Sequence, residues 1–204
     1  MFSIIIVANG SSNRFGKNNK LLSRIDGEYL INITIDRFLE NKLIEEIILV
    51  SNNQVFDKVK NKNVVKTFGG ETRASSVYNG LKLVTKKYVL VHDGARPFVN
   101  KSFIKMLLEE IKNYDVVVPY LKVTSCLKQV FEDNTIKTVN RNEFIQTQTP
   151  QVFLSSVIKK AYEKFDANWM DDLQAVENNK SLKIKLIEGD SKNIKITYAS
   201  DLNL

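Results

Sequence analysis

Apolar runs that predict strands alternate along most of the chain with segments of helical periodicity. Residues 3–8, which include the run Ile4-Ile5-Ile6-Val7-Ala8, are typical of a strand buried on both faces of a parallel sheet. In residues 28–42, by contrast, apolar side chains recur at helical spacing. This succession predicts a doubly wound open α/β sheet with right-handed crossovers. The further predicted strands are residues 46–50, 64–67, 88–91, 115–119, 183–187 and 193–197, and the further predicted helices are residues 71–84, 102–112, 154–165 and 171–177.

Residues 120–147 interrupt this alternation with short strands and turns. Asp133 and Asn134 stand where a hairpin would turn. We therefore expect a β-arm that protrudes from the main sheet. The sequence has no internal repeat, low-complexity tract or interdomain linker, and 204 residues suit one folding unit. The predicted organisation is a single domain, residues 1–204, with an arm at about residues 120–147.

The composition is that of an ordinary globular protein, with 43% hydrophobic and 26% charged residues. It excludes disordered, collagen-like and disulfide-rich proteins. No apolar run approaches the ~20 residues that span a bilayer. The N-terminus lacks the basic region and cleavage site of a signal peptide, so we expect neither a membrane segment nor secretion. A single cysteine, Cys126, cannot form an internal disulfide and fits a reducing cytoplasm.

A formal net charge of +7 favours polyanionic partners, which include nucleic acid, acidic membranes and phosphorylated small molecules. A lysine-rich composition explains the same charge without any partner. The lysines are scattered, whereas a nucleic-acid binder would gather them on one face. We therefore expect neither a nucleic-acid partner nor a membrane partner.

Residues 8–20 form a loop directly after the first predicted strand. Loops at this carboxyl edge bind the ligands of open α/β folds. Backbone N–H groups of its small-residue turn could wrap a polyphosphate, and Arg14 and Lys20 follow the turn. The loop matches neither the Walker A motif nor the dinucleotide fingerprint. Its cations could neutralise charge that grows on phosphorus during transfer, with a solvated basic loop as the alternative.

A second loop, residues 91–98, has the sequence Val-His-Asp-Gly-Ala-Arg-Pro-Phe and also follows a predicted strand. Asp93 stands just beyond that strand and could hold Mg²⁺, which prefers carboxylate and phosphate oxygens. His92 is the only histidine of the chain. We interpret it as a packed or hydrogen-bonded residue rather than a catalytic base.

Glycines also precede a predicted helix at residues 69–76. Gly70, Glu71 and Ser76 could present polar groups to a base or sugar, and ordinary helix capping is the alternative. Arg141 and Lys195 could clamp a second phosphate and are otherwise surface charges.

Taken in order, these segments resemble the 2-C-methyl-D-erythritol 4-phosphate cytidylyltransferase family of the non-mevalonate isoprenoid pathway. The ribitol 5-phosphate cytidylyltransferases are close relatives of that family. The resemblance covers almost the whole chain. It is carried by the loop ending at Arg14, Asn19-Lys20, residues 69–73, residues 91–99 (VHDGARPFV), residues 148–153 (QTPQVF), Asp171-Asp172, Glu188-Gly189, residues 193–197 (NIKIT) and Asp201-Leu202.

The resemblance implies a Rossmann-like nucleotidyltransferase fold, CTP and a sugar or polyol phosphate as substrates, Mg²⁺ as cofactor and a homodimer joined through the arm. It also implies roles for individual residues. Arg14, Lys20, Arg141 and Lys195 correspond to catalytic residues; Ala8, Asn9, Gly10, Gly70, Glu71, Arg73, Ser76, Asp93 and Cys126 correspond to substrate-binding residues; and Asp93 corresponds to the metal site.

The predicted activity is cytidylyl transfer from CTP to 2-C-methyl-D-erythritol 4-phosphate. The attacking phosphate has a second pKa of about 6, so it is largely anionic at neutral pH and needs no general base. Ribitol-5-phosphate cytidylyl transfer is one alternative. A catalytically silent nucleotide-binding or nucleic-acid-binding homologue is another. Departures from the family pattern favour the silent homologue, namely Asn9 in place of the usual alanine, a shortened loop before Lys20 and Cys126 near the position of a threonine.

Overall fold

The computed structural model describes residues 1–10, 15–16 and 19–203. Its strands are β1 (Phe2–Val7), β2 (Arg24–Ile25), β3 (Glu28–Tyr29), β4 (Ile44–Ser51), β5 (Val65–Phe68), β6 (Tyr88–Asp93), β7 (Val116–Lys122), β8 (Leu127–Val130), β9 (Ile136–Val139), β10 (Ile145–Thr147), β11 (Gln151–Leu154) and β12 (Ile184–Glu188). Its α-helices are α1 (Leu30–Leu39), α2 (Asn53–Phe56), α3 (Arg73–Leu81), α4 (Lys101–Glu110) and α5 (Ser155–Tyr162).

Strand β1 lies inside a mixed, mostly parallel sheet. It pairs in parallel with β4 on one side and β6 on the other, and β5 continues the sheet beyond β4. On the β6 side, β11 runs antiparallel between β6 and β7. Strand β12 pairs in parallel with β7. Strand β10 pairs antiparallel with the C-terminal end of β7, at residues 120–122. Within the described residues this sheet has eight strands.

Helices cover both faces of the sheet at β1, whose central residues are all apolar. Ile4 and Ile6 pack into one hydrophobic cluster with apolar residues of α1 and α4. Ile5 points the other way and packs into a second cluster with residues of α3 and α5. All three isoleucines are fully buried. A strand with this alternation needs helices on both faces, as the predicted doubly wound fold requires.

The predicted strands at residues 46–50, 64–67, 88–91, 115–119 and 183–187 are confirmed with small shifts of their ends. The strand predicted at residues 193–197 is wrong. That segment is irregular: the Ile196 N–H donates to Ala95, and Asn193 is buried among polar partners. The helix predicted at residues 171–177 is also wrong and contains only a short 3₁₀ turn, Leu173–Ala175. Helix α2 and the antiparallel strand β11 were not predicted from the sequence.

The predicted arm has a separate hairpin at its centre. Strands β8 and β9 form their own two-stranded antiparallel sheet. Asn134 lies in its turn with φ of 62°, so the predicted hairpin tip is confirmed. None of residues 123–144 is buried, whereas β10 and the end of β7 pair within the main sheet. Across the described ranges, every helix is too short or too polar to cross a bilayer.

Candidate active site

The carboxyl ends of β1 and β6 lie side by side and open into a cavity of about 670 Å³. Val7 pairs with Asp93 in the sheet, so the turn after β1 begins beside the Asp93 carboxylate. The cavity is lined by Val7, Ala8, Asn9, Gly10, Lys20, Leu21, Gly70, Glu71, Thr72, Arg73, Ser76, Asp93, Ala95, Lys195 and Thr197.

One wall of the cavity is the loop that leads into α3. Thr72 caps the helix, accepting from the Ser75 N–H, while the Ser75 hydroxyl accepts from the Thr72 N–H. The Gly70 N–H donates to the Ser76 hydroxyl, at 3.0 Å. A Cβ atom on Gly70 would lie 2.2 Å from the Ser75 hydroxyl oxygen, so this tight approach requires glycine. The loop is therefore held rigidly against the first turn of α3.

Asp93 also lines the cavity, and its buried carboxylate is surrounded by cations. The Lys195 Nζ lies 2.8 Å from Asp93 Oδ2, and the Arg96 Nε lies 3.5 Å from the same oxygen. The Arg73 Nε lies 3.4 Å from Asp93 Oδ1. Burial alone raises the pKa of the Asp93 carboxyl, but Lys195, Arg73 and Arg96 outweigh it and hold that pKa well below its usual range. Asp93 is therefore ionised at neutral pH.

Lys20 reaches the cavity from a short 3₁₀ turn, Lys20–Leu22. The Asn19 side chain caps this turn by accepting from the Leu21 N–H, at 3.1 Å. The Lys20 Nζ donates to the Ile196 carbonyl, at 2.8 Å. This contact joins the Lys20 turn to the loop that carries Lys195.

The loop that carries Lys195 has no regular structure but is held by buried polar groups. The Arg96 Nη1 and the Gln148 Nε2 both donate to the Asn193 carbonyl, at 2.7 and 3.2 Å. The Asn193 Nδ2 donates to the Thr149 carbonyl, at 2.8 Å. Asn193 is fully buried. These bonds fix the backbone at Asn193, two residues before Lys195.

His92 lies behind the cavity and does not line it. It is fully buried, with Nε2 3.0 Å from the Arg96 carbonyl and Nδ1 3.1 Å from the Thr149 hydroxyl. Because a carbonyl only accepts, Nε2 carries the proton and Nδ1 accepts from Thr149. Burial lowers the pKa of His92 to about 4. His92 is thus a neutral, packed residue, as predicted from the sequence.

The structure brings most of the predicted site residues together. Ten of them line the cavity, namely Ala8, Asn9, Gly10, Lys20, Gly70, Glu71, Arg73, Ser76, Asp93 and Lys195. Arg14 lies outside the described residues. Arg141 and Cys126 are exposed on the arm and do not line the cavity, and Arg141 donates to the Thr124 carbonyl beside it. Within one chain, therefore, the two arm residues stand apart from the other candidates.

Sequence reasoning missed several residues of the cavity and its support. Thr72 and Thr197 line the cavity although neither was a predicted site residue. Asp172 holds Arg73 from behind, with 2.7 Å between Oδ2 and Nη2. The segments that contain Thr72, Thr197 and Asp172 were part of the family resemblance. No spacing rule, however, relates Asp172 to Arg73, which lies ninety-nine positions earlier in the chain.

Asp93 and Glu71 are the two carboxylates that line this cavity and could hold Mg²⁺. The described part of the chain contains no group of three or more His, Cys, Asp or Glu side chains that could hold a metal ion by itself. Mg²⁺ is commonly bound through one or two carboxylates together with substrate phosphates. One ionised carboxylate in a cavity with space for a polyphosphate fits that requirement.

Comparison with known proteins identifies relatives along the whole chain. A family model described as 2-C-methyl-D-erythritol 4-phosphate cytidylyltransferase matches residues 2–204. The chain is 35% identical to the protein of that name from Clostridioides difficile (strain 630), with 100% of this chain and 92% of the relative covered. It is 38% identical to the one from Prochlorococcus marinus subsp. pastoris, with 98% and 96% covered.

Solved structures agree with these relatives. The crystal structure of 4-diphosphocytidyl-2C-methyl-D-erythritol synthase from Anaerococcus prevotii matches with a TM-score of 0.85 and 29% identity, covering 99% of this chain and 92% of that one. The crystal structure of 2-C-methyl-D-erythritol 4-phosphate cytidylyltransferase from Thermus thermophilus matches with a TM-score of 0.82 and 28% identity, covering 98% and 95%. These matches confirm the predicted fold and the predicted family resemblance.

Proposed function

We propose that this chain, which belongs to the 2-C-methyl-D-erythritol 4-phosphate cytidylyltransferase family, transfers the cytidylyl group of CTP to 2-C-methyl-D-erythritol 4-phosphate. The products are 4-diphosphocytidyl-2-C-methyl-D-erythritol and pyrophosphate. The strongest support for this reaction is the composition of the cavity. Lys20, Arg73 and Lys195 line it together with the ionised Asp93, whereas the only histidine of the sequence is buried outside it.

The reaction joins two anions and needs no proton transfer. A phosphate oxygen of the sugar phosphate attacks the α-phosphorus of CTP, and the bond from that phosphorus to the bridging oxygen of pyrophosphate breaks. Because the attacking phosphate is already largely ionised at neutral pH, no side chain has to remove a proton. The neutral, enclosed His92 agrees with this requirement.

The cavity residues would act by orienting the anions and screening their repulsion. Lys20 and Lys195 lie on neighbouring loops joined through the Ile196 carbonyl, so their charges converge on one region. We propose that they, with Arg14, stabilise the charge that grows during transfer. Asp93 would hold Mg²⁺, which when bound stabilises the charge of the departing pyrophosphate. The rigid loop at Gly70 and Ser76 would bind the nucleoside.

We further propose that the protein works in the cytoplasm as a homodimer joined through the arm. Residues 123–144 bury no side chain, and the paired Val130 and Ile136 are 65% and 66% exposed. A second copy of the chain would cover these apolar groups and bring Arg141 and Cys126 to the cavity of its partner. Cys126 is a free thiol in the structure and suits a reducing compartment.

The decisive experiment measures pyrophosphate release from CTP against a small panel of sugar and polyol phosphates. We expect release with 2-C-methyl-D-erythritol 4-phosphate and none without an acceptor. Release with ribitol 5-phosphate alone would reassign the acceptor. CTP binding without turnover on any acceptor, or binding to a random DNA duplex that weakens steeply with salt, would support the silent homologue instead.

A further inference from the structure

A buried acid outside the cavity holds one of the cavity's cations. Asp172 is fully buried, and both of its carboxylate oxygens are occupied. The Tyr162 hydroxyl donates to Oδ1 at 2.6 Å, and the Arg73 Nη2 donates to Oδ2 at 2.7 Å. An ionised carboxylate is expensive to bury unless it is paired and hydrogen-bonded, so these two partners compensate for its burial.

Arg73 connects this buried acid to the cavity. Its Nη2 binds Asp172, its Nε lies 3.4 Å from Asp93, and its side chain lines the cavity with 21% of its area exposed. Because the guanidinium is planar and rigid, fixing Nη2 and Nε fixes the direction of Nη1 as well. Among the described residues, Nη1 has no hydrogen-bond partner. This nitrogen can therefore donate to a ligand.

Asp172 itself is anchored on two sides. Behind it, Tyr162 is fully buried and packs edge-on against Trp169, with 5.2 Å between ring centroids. Burial and the neighbouring Asp172 raise the pKa of the Tyr162 hydroxyl, which therefore stays protonated and donates. Beside it, Asp171 accepts from the Thr147 hydroxyl at 2.8 Å and from the Gln151 amide at 3.0 Å. The bonds of Asp171 fix the neighbouring backbone position, and a shift of the Asp172 carboxylate would break its own bond to Tyr162.

We propose that Asp172, supported by Tyr162, is a positioning residue that holds Arg73 in the orientation in which Nη1 meets an oxygen of the bound nucleoside triphosphate. Asp172 does not touch the substrate and acts only through Arg73. By binding Nη2, Asp172 also prevents the Arg73 guanidinium from forming a two-nitrogen contact with Asp93. This inference rests on the proposed function, because it concerns the CTP that the cavity would bind.

The test compares CTP binding, measured by calorimetry without the sugar phosphate, in wild type, Asp172→Asn and Tyr162→Phe. Asp172→Asn keeps the shape but loses the charge that holds Arg73. We expect CTP affinity to fall by about 10- to 100-fold, the range for a hydrogen bond to a charged group, with the KM for the sugar phosphate nearly unchanged. Tyr162→Phe should weaken binding less because the ion pair remains. Tyr78→Phe is the matched control, since Tyr78 packs against Phe165, which also packs against Tyr162, and has no hydrogen bond to Asp172.

Two further variants separate positioning from a purely structural role. Because Asp172 acts through Arg73, Asp172→Asn should have no additional effect on CTP affinity in an Arg73→Met background. It should also raise the Tm of Arg73→Met, since it removes a buried carboxylate that has lost its ion-pair partner and keeps only the bond from Tyr162. An equal loss of affinity in both backgrounds would overturn the proposal.

Failure of the inference can be told apart from failure of the proposed function. If wild type binds CTP and releases pyrophosphate while Asp172→Asn folds and binds CTP equally well, only the positioning role is wrong. If wild type does not bind CTP, both are wrong. If Asp172→Asn does not fold, Tyr162→Phe decides, and CTP affinity equal to that of Tyr78→Phe would then overturn the proposal.

Discussion

The cavity and the arm differ in how their candidate residues are held. Around the cavity, Asp93 is nearly buried and meets three cations, and its neighbours are fastened by hydrogen bonds. On the arm, Arg141 and Cys126 are exposed, and no residue between 123 and 144 is buried. The residues of the cavity are thus held together within one chain, whereas Arg141 and Cys126 do not line that cavity. Variants in the two regions should behave differently.

The largest effect is expected inside the cavity. Lys20→Ala removes a cation that we place beside the reacting phosphates, so kcat should fall by about 10²- to 10³-fold, roughly 3–4 kcal/mol of transition-state stabilisation. Arg14→Ala should have a similar effect. Steady-state pyrophosphate release measures both. Lys105→Ala, an exposed lysine on α4, is the control and should retain full activity. A wild-type kcat in Lys20→Ala would contradict the proposed electrostatic stabilisation of the transition state by this residue.

The core behind the cavity should make stability depend on pH. The pKa of His92 is about 4 in the folded protein against 6.5 as its ordinary value, so only the unfolded state takes up a proton between these values. This residue therefore does not lower the free energy of unfolding above pH 6.5. As the pH falls from 6.5 to 4, its effect lowers the free energy of unfolding by about 3 kcal/mol.

Urea unfolding at a series of pH values measures this loss. His92→Gln cannot titrate, so its stability should change less between pH 6.5 and 4. Asp93 is present in both proteins, and its lowered pKa makes its own contribution fall only as the pH approaches 4 and below, so the difference between wild type and His92→Gln reports on His92. The same pH dependence in wild type and variant would show that His92 is not the group responsible.

The arm should affect the acceptor and act on a partner chain. Arg141→Ala should raise the KM for the sugar phosphate by about 10- to 100-fold and leave the KM for CTP unchanged. In mixtures of Arg141→Ala and Lys20→Ala chains, each mixed dimer would contain one intact site. In an equimolar mixture assayed at a sugar-phosphate concentration well below KM, activity should then return to about a quarter of the wild-type value. If mixing restores nothing while both variants remain dimeric by light scattering, each arm serves the cavity of its own chain.

The smallest effect is expected at the rim of the cavity. The Asn9 Nδ2 donates to the Gly70 carbonyl at 3.1 Å, and a Cβ atom on Gly69 would lie 2.2 Å from the Asn9 Cγ. Asn9→Ala should therefore loosen this loop, lowering CTP affinity by about 1 kcal/mol, or roughly fivefold. Calorimetry measures this change against Asn63→Ala, an exposed control. Unchanged affinity would show that Asn9 does not support the nucleotide loop.

Local patterns in the sequence were sufficient for the alternating sheet and for most of the cavity. Apolar runs such as residues 4–8 require burial on both faces, and the turn after such a strand must lie at the sheet edge. Asp93 and the turn at Ala8 could be placed together for that reason. Lys195 was assigned to the site from the family motifs, because no periodicity relates it to Asp93.

Long-range packing decided the rest. Residues 193–197 look like a strand, yet buried bonds to Asn193 and the contact between Lys195 and Asp93 replace strand pairing. The antiparallel position of β11 and the approach of Asp172 to Arg73 depend on which elements become neighbours after folding. Strand runs and loops are encoded by adjacent residues, whereas the partners of a buried charge are selected by the whole fold, from chain positions that no local pattern connects.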